Sequence, residues 1–161
     1  LLQLARIESG VAWQREAVEL GLLARMVVDE FTESRPEGRL SLRVAADAGI
    51  VAGDADALGI ALRNLIDNAL RHGGEAGRVR VEALADGLRV VDEGPGVPPD
   101  ELARLVRPFE RGATAAEGSG LGLAMADRVA RQSGAELRLR SPVEAGRGFE
   151  AMLRFAPDLP G

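Results

Sequence analysis

The spacing of apolar residues changes several times along this chain, and each change marks an element. From Gly21 to about Ser34, the residues Leu22, Leu23, Met26, Val27 and Phe31 recur at helical spacing, and Arg35-Pro-Glu-Gly38 ends the run. Leu40-Ser-Leu-Arg-Val44 alternates and predicts a strand; Asp47-Ala-Gly49 predicts a turn and Ile50-Val-Ala52 a short strand. Asp54 is placed to cap a long helix reaching about His72, with Leu58, Leu62, Leu65, Ile66, Ala69 and Leu70 as its apolar positions. A loop at Gly73–Gly77 precedes Arg78-Val-Arg-Val-Glu82 and Leu88-Arg-Val-Val91, a hairpin turning at Ala85-Asp-Gly87. Residues 93–118 are rich in Gly and Pro and hold one short amphipathic piece, Pro99 to Val106; so long a connection in a compact domain is usually a functional lid. Helix resumes from about Ser119 to Gln132 and stops at Ser133-Gly134. Ala135–Arg140 and Phe149–Phe155 form a closing strand pair around Ser141-Pro142 to Gly148. At the start, Leu1–Ser9 reads as a helix stopped at Gly10, and residues 11–19 as extended or irregular. The sum is an α/β two-layer sandwich, with helices on one face of a mixed, mainly antiparallel sheet.

Composition narrows the chemistry. The 161 residues suffice for one hydrophobic core, and 46% hydrophobic with 28% charged residues is the balance of a globular domain. The chain has no cysteine and one histidine, His72, so disulfides, zinc–thiolate sites, thiol nucleophiles and a Ser-His-Asp triad are excluded within it. Every basic residue is Arg, which leaves Arg as the only permanent side-chain cation for a phosphate. A net charge of −5, no Tyr and one Trp argue against nucleic acid as a partner. No apolar run is long enough to span a bilayer. The opening residues, without an initiator Met, read as the end of an amphipathic helix, so the expectation is a fragment of a longer protein.

Three segments carry candidate chemistry. In Asn64-Leu-Ile-Asp-Asn68-Ala-Leu-Arg71-His72, the residues Asn64, Asn68 and Arg71 sit at i, i+4 and i+7 and share a helical face. Amides and an arginine on such a face need partners; a nucleotide with its metal would supply them, as would a capping network or an exposed polar edge. Asp92-Glu-Gly94-Pro-Gly96 closes an apolar strand. Asp92 could accept from an exocyclic amine such as adenine offers, and Gly94 and Gly96 would let backbone approach a flat ligand; a Gly-Pro turn with an incidental Asp is the alternative. Gly118-Ser119-Gly120-Leu121-Gly122-Leu123 opens a helix whose free N–H groups could hold phosphate, or else forms a flexible hinge. Its G-x-G-x-G spacing is neither a dinucleotide fingerprint nor a Walker A loop. Mg²⁺ keeps waters and bridges phosphates, so one amide oxygen from Asn68 is sufficient protein ligation.

Together these motifs resemble, in order and over essentially the whole chain, the catalytic ATP-binding domain of bacterial two-component sensor histidine kinases, within the gyrase–Hsp90–histidine kinase–MutL ATPase superfamily. Residues 64–72 look like the N box. The resemblance implies that Asn68 coordinates Mg²⁺, Asn64 lines the phosphate or metal site, Arg71 meets phosphate and His72 stands beside the nucleotide. Asp92, Gly94 and Gly96 look like the G1 box, with Asp92 receiving the adenine amine. Pro108-Phe109-Glu-Arg111-Gly112 resembles the F box in the lid, where Arg111 would reach nucleotide on closure or make a surface pair. Residues 118–123 resemble the G2 box, and Gly146-Arg-Gly-Phe149 approximates the last glycine motif, with Arg147 where the family commonly has Thr; it is expected to point to solvent.

By the same resemblance, residues 1–10 are a remnant of the second dimerisation helix and linker, 11–157 the catalytic domain and 158–161 a tail. The implied reaction moves the ATP γ-phosphoryl to a histidine on the missing upstream dimerisation domain, then to an aspartate of a response-regulator receiver domain. The implied parent is a homodimeric, inner-membrane sensor with this domain in the cytoplasm. Related ATPases carry a water-activating Glu where Asn64 stands, and an amide is no general base, so slow hydrolysis is expected of the domain alone. His72 is not expected to be phosphorylated. The competing readings are a serine kinase of the anti-sigma-factor type and a degenerate nucleotide- or partner-binding module.

Overall fold

The computed structural model describes residues 14–34, 38–73, 77–105 and 119–156, the last segment from its backbone alone over 119–121. In chain order the elements are β1 (Glu16–Glu19), α1 (Leu20–Ser34), β2 (Leu40–Val44), β3 (Ile50–Gly53), α2 (Ala55–His72), β4 (Val79–Ala83), β5 (Gly87–Asp92), α3 (Pro99–Arg104), α4 (Ser119–Gln132), β6 (Ala135–Arg140) and β7 (Phe149–Phe155). Five strands form one sheet in the order β2-β4-β5-β7-β6. Only β2 and β4 run parallel; the other neighbours are antiparallel. The expected two-layer sandwich is thus present. The expected helix over 1–9 and the lid motif at 108–112 lie outside the described residues.

Alternation along the strands separates two faces. Val79, Val81, Ala83, Leu88, Val90, Ala151 and Leu153 turn inward and are buried against the helices. The helices answer with Leu20, Val27, Leu58, Leu62, Leu65, Ile66, Leu123 and Val129, all almost fully buried. On the opposite face, Glu82 is buried at 3% exposure beneath two arginines. Arg80 Nε lies 2.6 Å from its carboxylate and Arg89 Nε 2.9 Å, with a second contact from Arg89 Nη2. Arg140 and Arg89 also pair with Glu150, at 3.2 and 3.6 Å.

A small second sheet carries the chain into α2. β1 pairs antiparallel with β3, Glu16 opposite Gly53 and Glu19 opposite Ile50. Asp54 then caps α2: its Oδ1 accepts from the Ala57 amide at 3.1 Å. Its Oδ2 accepts from the Gln14 amide, also at 3.1 Å, so one buried carboxylate fastens both the helix start and the entering chain.

Candidate functional site

α2 lies between α1 and α4, and its long apolar face leaves one polar flank. Asn64 and Asn68 are half-buried on that flank. A Cβ added at Gly122 of α4 would lie 3.8 Å from both Cβ and Oδ1 of Asn64, so the first turn of α4 stands directly beside the amide. Two motifs 58 positions apart in the chain are thereby neighbours. Arg71 sits further out: it is exposed and pairs with Asp67, one turn back, at 3.2 Å. An exposed i,i+4 pair is weak, so Arg71 can be drawn to a stronger anion at small cost. His72 is exposed as well.

The C-terminal end of α2 meets the end of β5. The Gly73 N–H returns to the Ala69 carbonyl at 2.8 Å, and a Cβ at Gly73 would stand 3.1 Å from the Cβ of Asp92. Arg39 fixes this end from the other side, donating to the Gly77 carbonyl at 2.9 Å and to the Leu70 carbonyl, one of the terminal carbonyls a helix leaves open, at 3.3 Å. Asp92 is 3% exposed, and its Oδ1 accepts from the Gly94 amide at 2.8 Å. Burial pushes its carboxyl above the usual aspartate range; hydrogen bonds from the Gly94 and Phe149 backbones, and the nearby His72, pull in the opposite direction without cancelling it. The outcome is a fixed acceptor held by backbone amides, with no arginine pairing it among the described residues.

The glycines of this loop have a reason that sequence reading did not supply. A Cβ at Gly94 would fall 2.7 Å from the His72 carbonyl and 2.8 Å from Gly73 Cα. One at Gly96, which has φ +78°, would fall 2.5 Å from Ser141 Oγ. Protein approaches both glycines closely, and this close packing seats the loop between the end of α2 and the β6–β7 hairpin. Ser141 itself read only as part of a turn; the bonds it makes here had no local signal. Arg147, at the hairpin tip, is exposed.

Of the G2 residues, Leu123 is buried in the core, Gly122 borders Asn64, and Ser119, Gly120 and Leu121 form the first turn of α4. Phe109, Arg111 and Gly118 lie outside the described residues. No group of three or more His, Cys, Asp or Glu side chains suited to a metal exists among the described residues. The half-buried Asn64 and Asn68 offer amide oxygens, hard donors of the kind that suit a cation held largely by phosphate and water. No described helix is long and apolar enough to cross a membrane.

Residues 53–158 match the family described as histidine kinase-, DNA gyrase B-, and HSP90-like ATPase. The signal transduction histidine-protein kinase/phosphatase MprB of Mycolicibacterium vanbaalenii is 37% identical over 155 residues, covering 91% of this chain and 31% of the relative. The sensor protein QseC of Escherichia coli K12 is 34% identical over 160 residues, covering 96% and 35%. The chain therefore spans about a third of the length of the curated relatives it matches. Among solved structures, the mycobacterial sensor histidine kinase MprB superposes with a TM-score of 0.69 at 28% identity, over 87% of this chain and 95% of that one. Full-length ShkA in complex with AMPPNP gives 0.70 at 26%, over 96% and 35%. The chain belongs to the histidine kinase-, DNA gyrase B-, and HSP90-like ATPase family.

Proposed function

We propose that this chain is the ATP-binding catalytic domain of a sensor histidine kinase. The observation that carries the reading is a pair of contacts along α2, Asn64 against Gly122 and the C-terminal end of the helix against Asp92. The names of the relatives, all sensor kinases, favour a histidine over a serine acceptor, and the binding of AMPPNP by the similar ShkA favours an adenine nucleotide over a degenerate pocket.

In this reading the Asp92 carboxylate accepts from the adenine amine, and His72 walls the nucleotide. Arg71 leaves Asp67 to meet phosphate, the backbone amides at Ser119–Gly122 face the phosphate chain, and Gly94 and Gly96 keep the Asp92 loop in place. Phe109 and Arg111 contribute from the segment between α3 and α4. The Asn68 oxygen, with Asn64 beside it, would hold Mg²⁺, which would supply charge neutralisation. An imidazole nitrogen of the upstream histidine attacks the γ-phosphorus, an N–P bond forms, and the bond to the ADP oxygen breaks. The domain's work is positioning and electrostatics. The phosphoryl group then passes to a receiver-domain aspartate, in a homodimeric inner-membrane parent whose catalytic domain lies in the cytoplasm.

The test is phosphotransfer from γ-labelled ATP with the parent's upstream dimerisation segment supplied. The expected product is acid-labile, base-stable label on that segment, lost with Asn68→Ala, and slow ATP hydrolysis by this chain alone. Label on serine, label on His72, or rapid hydrolysis without the upstream segment contradicts the assignment.

A further inference from the structure

We propose that Ser141 is a positioning residue for recognition of the nucleotide base: its hydroxyl locks the loop after β5 to the β6–β7 hairpin and so holds Asp92 in place. The inference rests on the nucleotide-binding role proposed for Asp92. Ser141 Oγ is half-buried and used twice. It accepts from the Val97 amide at 3.0 Å and donates to the Gly148 carbonyl at 2.7 Å. The same hairpin residue returns the contact, since the Gly148 N–H donates to the Gly94 carbonyl at 2.8 Å. Gly148 then leads into Phe149, which stands opposite Asp92 in the sheet register. The bonds run from Asp92 to Gly94, Gly94 to Gly148, Gly148 to Ser141 and Ser141 to Val97, and the backbone from Val97 to Asp92 closes the circuit.

No other side chain makes a hydrogen bond across this circuit among the described residues, apart from Asp92 itself. The fit is also tight. Gly96 and Gly148 both have left-handed backbones, and a Cβ at either would come within 3 Å of another part of the circuit: Ser141 Oγ for Gly96, the Asp92 carbonyl for Gly148. A loop this constrained cannot take up slack when one bond is removed. Loss of the hydroxyl leaves the Val97 N–H and one Gly148 lone pair without their partner and lets residues 94–97 move relative to Asp92.

A merely structural serine would lower stability and weaken all nucleotides alike. A residue acting through Asp92 must instead weaken base discrimination, because the phosphates are met elsewhere, on α2 and α4. The test is titration of AMPPNP and its guanine counterpart into this chain, its Ser141→Ala variant and its Ser141→Thr variant, with amide hydrogen exchange on the nucleotide-free proteins. Ser141→Ala is expected to weaken AMPPNP about five- to tenfold, with the guanine analogue unchanged, so that the preference for adenine falls by the same factor. Ser141→Thr, which keeps the hydroxyl, is expected to restore it. Exchange is expected to quicken at Val97 in the alanine variant, independently of any nucleotide. An unchanged adenine preference, parallel weakening of both nucleotides, or unaltered exchange at Val97 overturns the proposal while leaving the ATP-binding reading intact. Failure of the unaltered chain to bind AMPPNP overturns both.

Discussion

Asp92 and Glu82 are both carboxylates 3% exposed and lie on neighbouring strands of one sheet, yet they are held in opposite ways. Burial would push the Glu82 carboxyl up, but hydrogen bonds from Arg89 and Arg80, with their charges, outweigh it and hold the carboxyl below its ordinary range. Asp92 receives only backbone amides and the smaller pull of the His72 charge, and burial wins. Glu82 is saturated by side chains of opposite charge on the face away from the helices; it can do no more than hold strands together. Asp92 retains an anion whose cost of burial is not fully offset, at the place where α2, β5 and the β6–β7 hairpin meet. In the proposed reading, this carboxylate is the one that takes a donor from outside, the adenine amine.

The contrast gives its largest effect on ligand affinity. Asp92→Ala is expected to weaken AMPPNP binding about a hundredfold, roughly 2–3 kcal/mol, while Glu82→Gln leaves the affinity unchanged; titration calorimetry reads both. Next in size is stability. Glu82→Gln should lower the unfolding free energy by roughly 1–3 kcal/mol in urea melts, less than for a wholly buried pair, because Arg80 and Arg89 remain partly in contact with water.

The pH dependence should split the two residues by sign. The contribution of Glu82 is present above its unfolded value, near 4.5, and is lost as pH falls through its depressed folded value; Glu82→Gln therefore flattens that acid limb. Asp92 is the reverse. Its penalty is absent below about 3.8 and grows as pH rises to its raised folded value, so Asp92→Asn should gain stability relative to the parent over that window and keep the gain above it. Melts at several pH values check both slopes. The smallest effect belongs to the exposed Arg63–Glu30 pair between α1 and α2, where Glu30→Ala should cost no more than about 0.5 kcal/mol.

Most elements were legible because their apolar periods are clean. The α2 pattern from Leu58 to Leu70, the Asp54 cap and the β4–β5 hairpin stand where the sequence puts them. The face of α2 that carries Asn64 and Asn68 was legible for the same reason. What sequence could not supply were bonds between distant positions. The second acceptor role of Asp54, toward an amide 40 residues earlier, and the Ser141–Val97 bond, spanning 44, leave no periodic trace. Gly94 and Gly96 were recognisable as places of close approach, but the protein atoms that crowd Gly96 come from the sequence-distant β6–β7 hairpin. Pairing of β1 with β3 in a sheet of their own was likewise invisible in two segments of four residues.

Calorimetric titration of AMPPNP into this chain and into Asp92→Ala, with and without Mg²⁺, shows whether Asp92 and the flank of α2 form a nucleotide pocket. Saturable binding, strengthened by Mg²⁺ and lost in the variant, is the predicted result. A folded chain that binds no nucleotide, or binds it equally well without the Asp92 carboxylate, would contradict it.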